Sequence, residues 1–265
     1  MSELLKRVKG QKIRLEGFNN LTKSLSFNIY DICYARSKES QIEYLEYVDE
    51  EYNSEVLQNI IETVTDIVDA KLLHISTQDY EPRGASVTAL IAEGEVNEPT
   101  ADGVLHEALV GHLDKSHITA HTYPELDPST GIATFRVDID VSTCGTISPL
   151  RALHHLIDSF DSDVVLMDYR VRGFTRDSKG FKHYIDHDIA SIQDFISDDV
   201  LAKYIAYDIN IISDNIFHTK MRKKDFKLSE YLFGPEAEKL QKKERQRIKD
   251  VLKKEMQEIF ECHNF

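Results

Sequence analysis

Two stretches of the chain alternate apolar and polar residues, and this period of two constrains the fold more than any other feature. Ser24-Leu-Ser-Phe-Asn-Ile-Tyr-Asp-Ile-Cys-Tyr34 and Ile132–Ser142 each send every second side chain to one face, as a half-buried strand does. Further strands are expected at Leu72–Thr77, Ala85–Glu93 and Ser116–Tyr123, and Val164–Phe174 and Phe181–Asp188 would form a hairpin across Arg176–Gly180. Over Gln41–Ala70 the spacing turns helical, with Val56, Ile60, Ile61, Val64, Ile67 and Val68 on one stripe. Ser148-Pro149 is a helix start, an N-cap followed by proline at the first position. Lys239–Phe260 carries Ile248, Val251, Leu252, Met256, Ile259 and Phe260 on one side, and its many basic residues read as the solvated face of that helix. This rhythm predicts an α+β fold, a two-layer sandwich of mainly antiparallel sheet with helices on one face, over residues 1–190. Residues 191–265 read as a helical C-terminal extension. Residues 94–114 are polar and read as an insertion holding a short helix at Val104–Val110, and residues 1–22 as a polar lead-in.

Composition narrows the function classes. With 265 residues, 41% apolar and 29% charged, the chain can bury a sizeable core. Cys33, Cys144 and Cys262 are an odd count without paired spacing, so free thiols are expected. The net charge of −14 argues against nucleic-acid binding and suits a cationic small substrate. No leader-like apolar stretch opens the chain and no run reaches membrane-spanning length, so a cytoplasmic protein without membrane contact is expected.

The chemistry concentrates in Leu113-Asp-Lys-Ser-His-Ile-Thr-Ala-His-Thr-Tyr-Pro-Glu125. His112, His117 and His121, with Asp114 or Glu125, invite a zinc site. Spacing counts against it, because His117 and His121 on one strand face lie about 13 Å apart at roughly 3.3 Å per residue. A serine hydrolase using Ser116 or Ser86 with His121 lacks the Gly-x-Ser-x-Gly elbow. The third chemistry is self-directed. A serine hydroxyl attacks the preceding carbonyl, a base takes the serine α-proton, and elimination releases the upstream chain. The residue left behind hydrolyses to a pyruvoyl group, whose ketone condenses with an amine and draws electrons from it. A thiol, mostly protonated at neutral pH, then returns a proton to the product carbon.

Lys115-Ser-His-Ile-Thr-Ala-His-Thr-Tyr-Pro-Glu125, followed by Phe135-Arg-Val-Asp-Ile-Asp-Val-Ser-Thr-Cys-Gly145, resembles the prokaryotic S-adenosylmethionine decarboxylase proenzymes, most closely their long bacterial branch. Tyr80-Glu-Pro-Arg-Gly-Ala-Ser86 and the helix at Pro149–Ile157 fit the same pattern. The resemblance implies a pyruvoyl-dependent enzyme that decarboxylates S-adenosylmethionine to the aminopropyl donor for spermidine synthesis. It implies cleavage between Lys115 and Ser116, giving a β chain of residues 1–115 and an α chain of residues 116–265 that stay together in a homo-oligomer. It assigns Ser116 to the pyruvoyl group, His121 to the processing base, Cys144 to the proton donor and Ser86 to a helper in processing. Glu125 would hold the ribose hydroxyls, with Tyr80 the aromatic candidate against adenine. Mg2+ is implied for some long members, and Asp138 and Asp140 share a strand face without forming a ligand set. The competing readings are an uncleaved paralogue acting as a regulatory or binding subunit, and a zinc hydrolase. The odd separation of Ser116 and His121 demands a bulge, or a Ser116 that lies just before the regular strand.

Overall fold

The computed structural model describes residues 15–81, 83–93, 116–233 and 240–265. Lys115, the insertion at 94–114 with its expected helix, and the first fourteen residues lie outside that set.

The alternating segments form strands as expected. In chain order they are β1 (Leu15–Asn19), β2 (Thr22–Tyr34), β3 (Ala70–Asp79), β4 (Ala85–Glu93), β5 (Ser116–Leu126), β6 (Ile132–Cys144) and β7 (Val164–Arg172). After them come β8 (Thr175–Asp177), β9 (Lys182–His183), β10 (Tyr204–Asp208) and β11 (Ile216–Lys223). Eight join one antiparallel sheet in the order β10-β11-β7-β2-β6-β5-β4-β3, and β1, β8 and β9 make a small second sheet. The hairpin expected between Val164–Phe174 and Phe181–Asp188 is smaller, running between β8 and β9, because β7 is already paired on both edges by β2 and β11.

The helical stretch at Gln41–Ala70 is two helices, α1 (Lys38–Glu51) and α2 (Ser54–Ile67). Asn53 divides them, its side chain accepting from the Val56 N–H as the N-cap of α2. With α3 (Leu153–Asp158) they cover one face of the sheet. Tyr44 and Val48 of α1, Leu57, Ile61 and Val64 of α2 and Leu156 of α3 pack there on Leu25, Phe27, Ile118 and Val137.

The C-terminal part is not wholly helical. Besides α4 (Asp198–Lys203) and α5 (Lys242–Glu261), it contributes β10 and β11 to the main sheet, since Phe217, Thr219 and Met221 continue the two-residue burial period of β7. The expected helix is α5, and it lies on the opposite face from α1–α3. Its Ile248, Leu252, Met256 and Phe260 pack on Ile32, Tyr34, Ile132 and Val164, with Tyr30 and Leu166 alongside. The helix therefore packs on one end of that face, away from Thr22–Asn28 of β2.

Candidate active site

The antiparallel register lines up the half-exposed side chains of the second face in rows. Thr22 stands between Cys144 and Arg172, and Ser24 between Ser142 and Arg170, with His117 beyond Ser142. Ser26 aligns with Asp140 and Thr119, and Asn28 with Asp138, His121 and Ser86. Strand alternation alone puts these residues on one face, with their buried neighbours on the other.

Ser116 breaks with them. It is the first residue of β5, its side chain 4% exposed on the helix-covered side. Its Oγ accepts a hydrogen bond of 3.1 Å from the Cys144 amide. Ser116 and Cys144 are thus adjacent through the cysteine backbone. The Cys144 thiol is half-buried and free of any disulfide, at the end of β6 where Gly145 turns with φ of 71°. A positive φ at this point suits glycine, which has no Cβ to clash.

His121 and Ser116 do not come together within one copy. No bulge interrupts β5 against β4 or β6, so the two side chains point to opposite faces. Five residues of regular strand also separate their backbones by about 16 Å. His121 instead pairs directly with Ser86 on β4 and Asp138 on β6, and its ring lies 6.5 Å from that of Tyr123. Tyr123 carries the Arg136 guanidinium 4.7 Å over its face, and Arg136 is ion-paired to Asp138.

Glu125 and Tyr80 belong to the His121 end. Glu125 is exposed near the close of β5, and partial burial, with the Asp127 carboxylate nearby, raises its pKa above the usual carboxylate range. Tyr80 is 38% exposed in the β3–β4 turn, where a Cβ on Gly84 would crowd the Thr122 carbonyl, Pro124 and the Tyr80 ring. The predicted residues thus fall into two groups. Ser116 and Cys144 sit at one end of β5, and Ser86, His121, Glu125 and Tyr80 cluster further along it.

The carboxylates named for Mg2+ have partners in the protein. Asp138 is paired with Arg136, and Asp140 accepts from the Ser26 hydroxyl. Among the described residues no three His, Cys, Asp or Glu gather as ligands, and His112 and Asp114 lie outside that set.

One participant escaped the sequence reading. Lys23 is 1% exposed, and its ammonium donates to the Gly145 carbonyl at 3.0 Å and to Asp186 at 2.7 Å. The signal was available, since Lys23 falls in phase with the buried Leu25, Phe27 and Ile29 rather than with the polar positions.

Comparison with known proteins places this architecture. The S-adenosylmethionine decarboxylase family model matches residues 42–173. A protein of Stenotrophomonas maltophilia (strain R551-3), named S-adenosylmethionine decarboxylase proenzyme, is 56% identical over 96% of this chain and 97% of its own length. One of the same name from Alkalilimnicola ehrlichii is 56% identical over 96% of both chains. The solved adenosylmethionine decarboxylase of Aquifex aeolicus covers 66% of this chain and 96% of its own at 17% identity and a TM-score of 0.34, too distant to bear on the site. At the identity and coverage of the two bacterial relatives, the chain belongs to the S-adenosylmethionine decarboxylase family.

Proposed function

We propose that the chain cuts its own Lys115–Ser116 bond and then decarboxylates S-adenosylmethionine, supplying the aminopropyl donor for spermidine synthesis. The observation that carries this reading is the Cys144 amide bonded to the Ser116 hydroxyl at the start of β5, in a chain of this family.

In the first stage Ser116 Oγ attacks the Lys115 carbonyl carbon and the peptide becomes an ester. A base removes the Ser116 α-proton, and the Cβ–Oγ bond breaks. The upstream chain leaves as a carboxylate that keeps Oγ. The Cys144 N–H already points at that oxygen, so it favours the serine rotamer for attack and stabilises the charge that gathers on Oγ as the bond breaks. The remaining unsaturated residue takes up water and loses ammonia, leaving a ketone at the former Ser116 Cα. Burial of the Ser116 side chain against the sheet fits such a group, which must be kept from bulk solvent.

The pyruvoyl group supplies an electron sink for the pair left behind when carbon dioxide departs. Cys144 donates the proton that quenches this pair at the substrate α-carbon. Glu125, with two acceptor oxygens, suits a ribose diol, and Tyr80 offers an exposed ring to the adenine. An acidic protein suits the cationic sulfonium substrate.

The base must come from elsewhere. His121 lies about 16 Å along β5 from Ser116 and on the other face, too far for proton transfer within one copy. The reading therefore takes the working unit to be a homo-oligomer in which Ser86, His121 and Glu125 of one copy serve Ser116 and Cys144 of another. The test of the chemistry is a Ser116→Ala chain, expected to stay in one piece and to be inactive. A fully active, intact Ser116→Ala protein would overturn the reading.

A further inference from the structure

Several hydrogen bonds tie down the Thr143–Cys144–Gly145 turn. The Gly145 N–H donates to the Leu21 carbonyl, the Thr143 hydroxyl to the Ile147 carbonyl, the Cys144 N–H to Ser116 Oγ, and Lys23 Nζ to the Gly145 carbonyl. The Lys23 tie alone carries a full charge, and it is anchored on its far side. Asp186 accepts from Lys23 through one carboxylate oxygen and from His187 Nδ1, at 2.7 Å, through the other. His187 Nε2 lies 3.1 Å from the Tyr169 hydroxyl on β7, which is fully buried. Burial opposes the charge on Asp186, but the hydrogen bonds from His187 and Lys23 outweigh it and hold the carboxyl below its usual range.

We propose that the Lys23–Asp186–His187–Tyr169 chain is a positioning device for Cys144, fixing where its amide and thiol stand during self-cleavage and turnover. A buried ion pair adds little net stability over well-packed apolar side chains. Its distinctive contribution is direction: a charge-assisted bond inside the protein pins the Gly145 carbonyl, and with it the residue before. Lys23 touches no reacting atom, so it is a positioning residue and not a catalytic one.

The consequence appears in proton placement. The electron pair left by carbon dioxide is shared between the substrate α-carbon and the former Ser116 Cα. A proton delivered to the substrate carbon gives product. A proton delivered to the enzyme carbon, followed by addition of water, releases the decarboxylated substrate skeleton as an aldehyde and leaves the substrate nitrogen on the protein as an N-terminal alanine. A displaced Cys144 thiol shifts delivery toward the second carbon.

The inference rests on the proposed self-cleavage and decarboxylation, so the wild-type chain is assayed beside each variant. Lys23→Met with Asp186→Asn removes both buried charges together and avoids an unpaired one. This double variant is expected to keep a thermal midpoint near that of the wild type, to cleave about tenfold more slowly, and to end about tenfold more of its turnovers as N-terminal alanine, read from the intact mass of the α chain. Asp186→Asn alone keeps the side-chain shape, and is expected to shift the same partition in the same direction by a smaller factor. Wild-type cleavage rate and partition in either folded variant overturn the positioning role. A wild-type chain that neither cleaves nor decarboxylates overturns the functional reading instead.

Discussion

Cys144 meets Ser116 through one atom and is expected to meet the substrate through another. Its amide holds Ser116 Oγ, while its side chain shares the open-face row of Thr22 and Arg172. The two contributions are separable by mutation. Cys144→Ala keeps the amide, so the chain is expected to cleave at near the normal rate yet lose about 10²-fold or more in turnover, the ordinary worth of a general acid. Unchanged turnover in cleaved protein would remove the proton-donor role. At the closed end of β2 a second group of residues sets the pH response of the fold. Asp31 and Asp163 are buried together, held by the Tyr47 and Tyr231 hydroxyls, and burial followed by the Asp163 carboxylate pushes the Asp31 pKa well up. A carboxyl raised in the folded state stabilises fully below its unfolded pKa of about 4, and that contribution is lost as pH rises through the folded value. Thermal midpoints are therefore expected to fall from about pH 5 to about pH 9, and to fall less steeply in Asp31→Asn. Equal slopes in the two proteins would contradict the assignment.

At the scale of elements, the strands were legible wherever burial has a period of two. β4 spans the expected Ala85–Glu93, and β5 begins at the expected Ser116. The candidate site was read as residue types and order, and the serine, histidine and Pro-Glu segments of β5 lie beside the Thr-Cys-Gly end of β6. What stayed hidden depends on contacts distant in sequence. Lys23 and Asp186 are 163 residues apart, and β10 and β11 are short strands that only sheet pairing with β7 defines. The Ser116–His121 spacing called for a bulge or a Ser116 just before the regular strand; β5 instead runs unbroken from Ser116, whose oxygen reaches the neighbouring strand's amide. Helix α5 was legible as amphipathic, but not the face it covers. Its Leu252 is fully buried against the far end of the sheet, so Leu252→Ala is expected to cost about 2–5 kcal/mol in denaturant unfolding. A loss below about 0.5 kcal/mol would place the helix on the surface rather than in a core.

At the scale of the whole molecule, the proposed two-copy site rests on the straight β5 strand. A Ser116→Ala chain keeps His121, and a His121→Ala chain keeps Ser116. Co-expressed, they are expected to form mixed oligomers in which the His121→Ala chain is cleaved, although neither variant cleaves alone. Absence of cleavage in verified mixed oligomers would confine the base to its own copy and contradict the two-copy site. Beneath all of this lies the cut itself, and the intact mass of the purified wild-type protein tests it most directly. Self-cleavage predicts two fragments that part between Lys115 and Ser116, the C-terminal one beginning with a blocked, ketone-bearing residue. A single 30.5 kDa chain that nevertheless decarboxylates S-adenosylmethionine would contradict it.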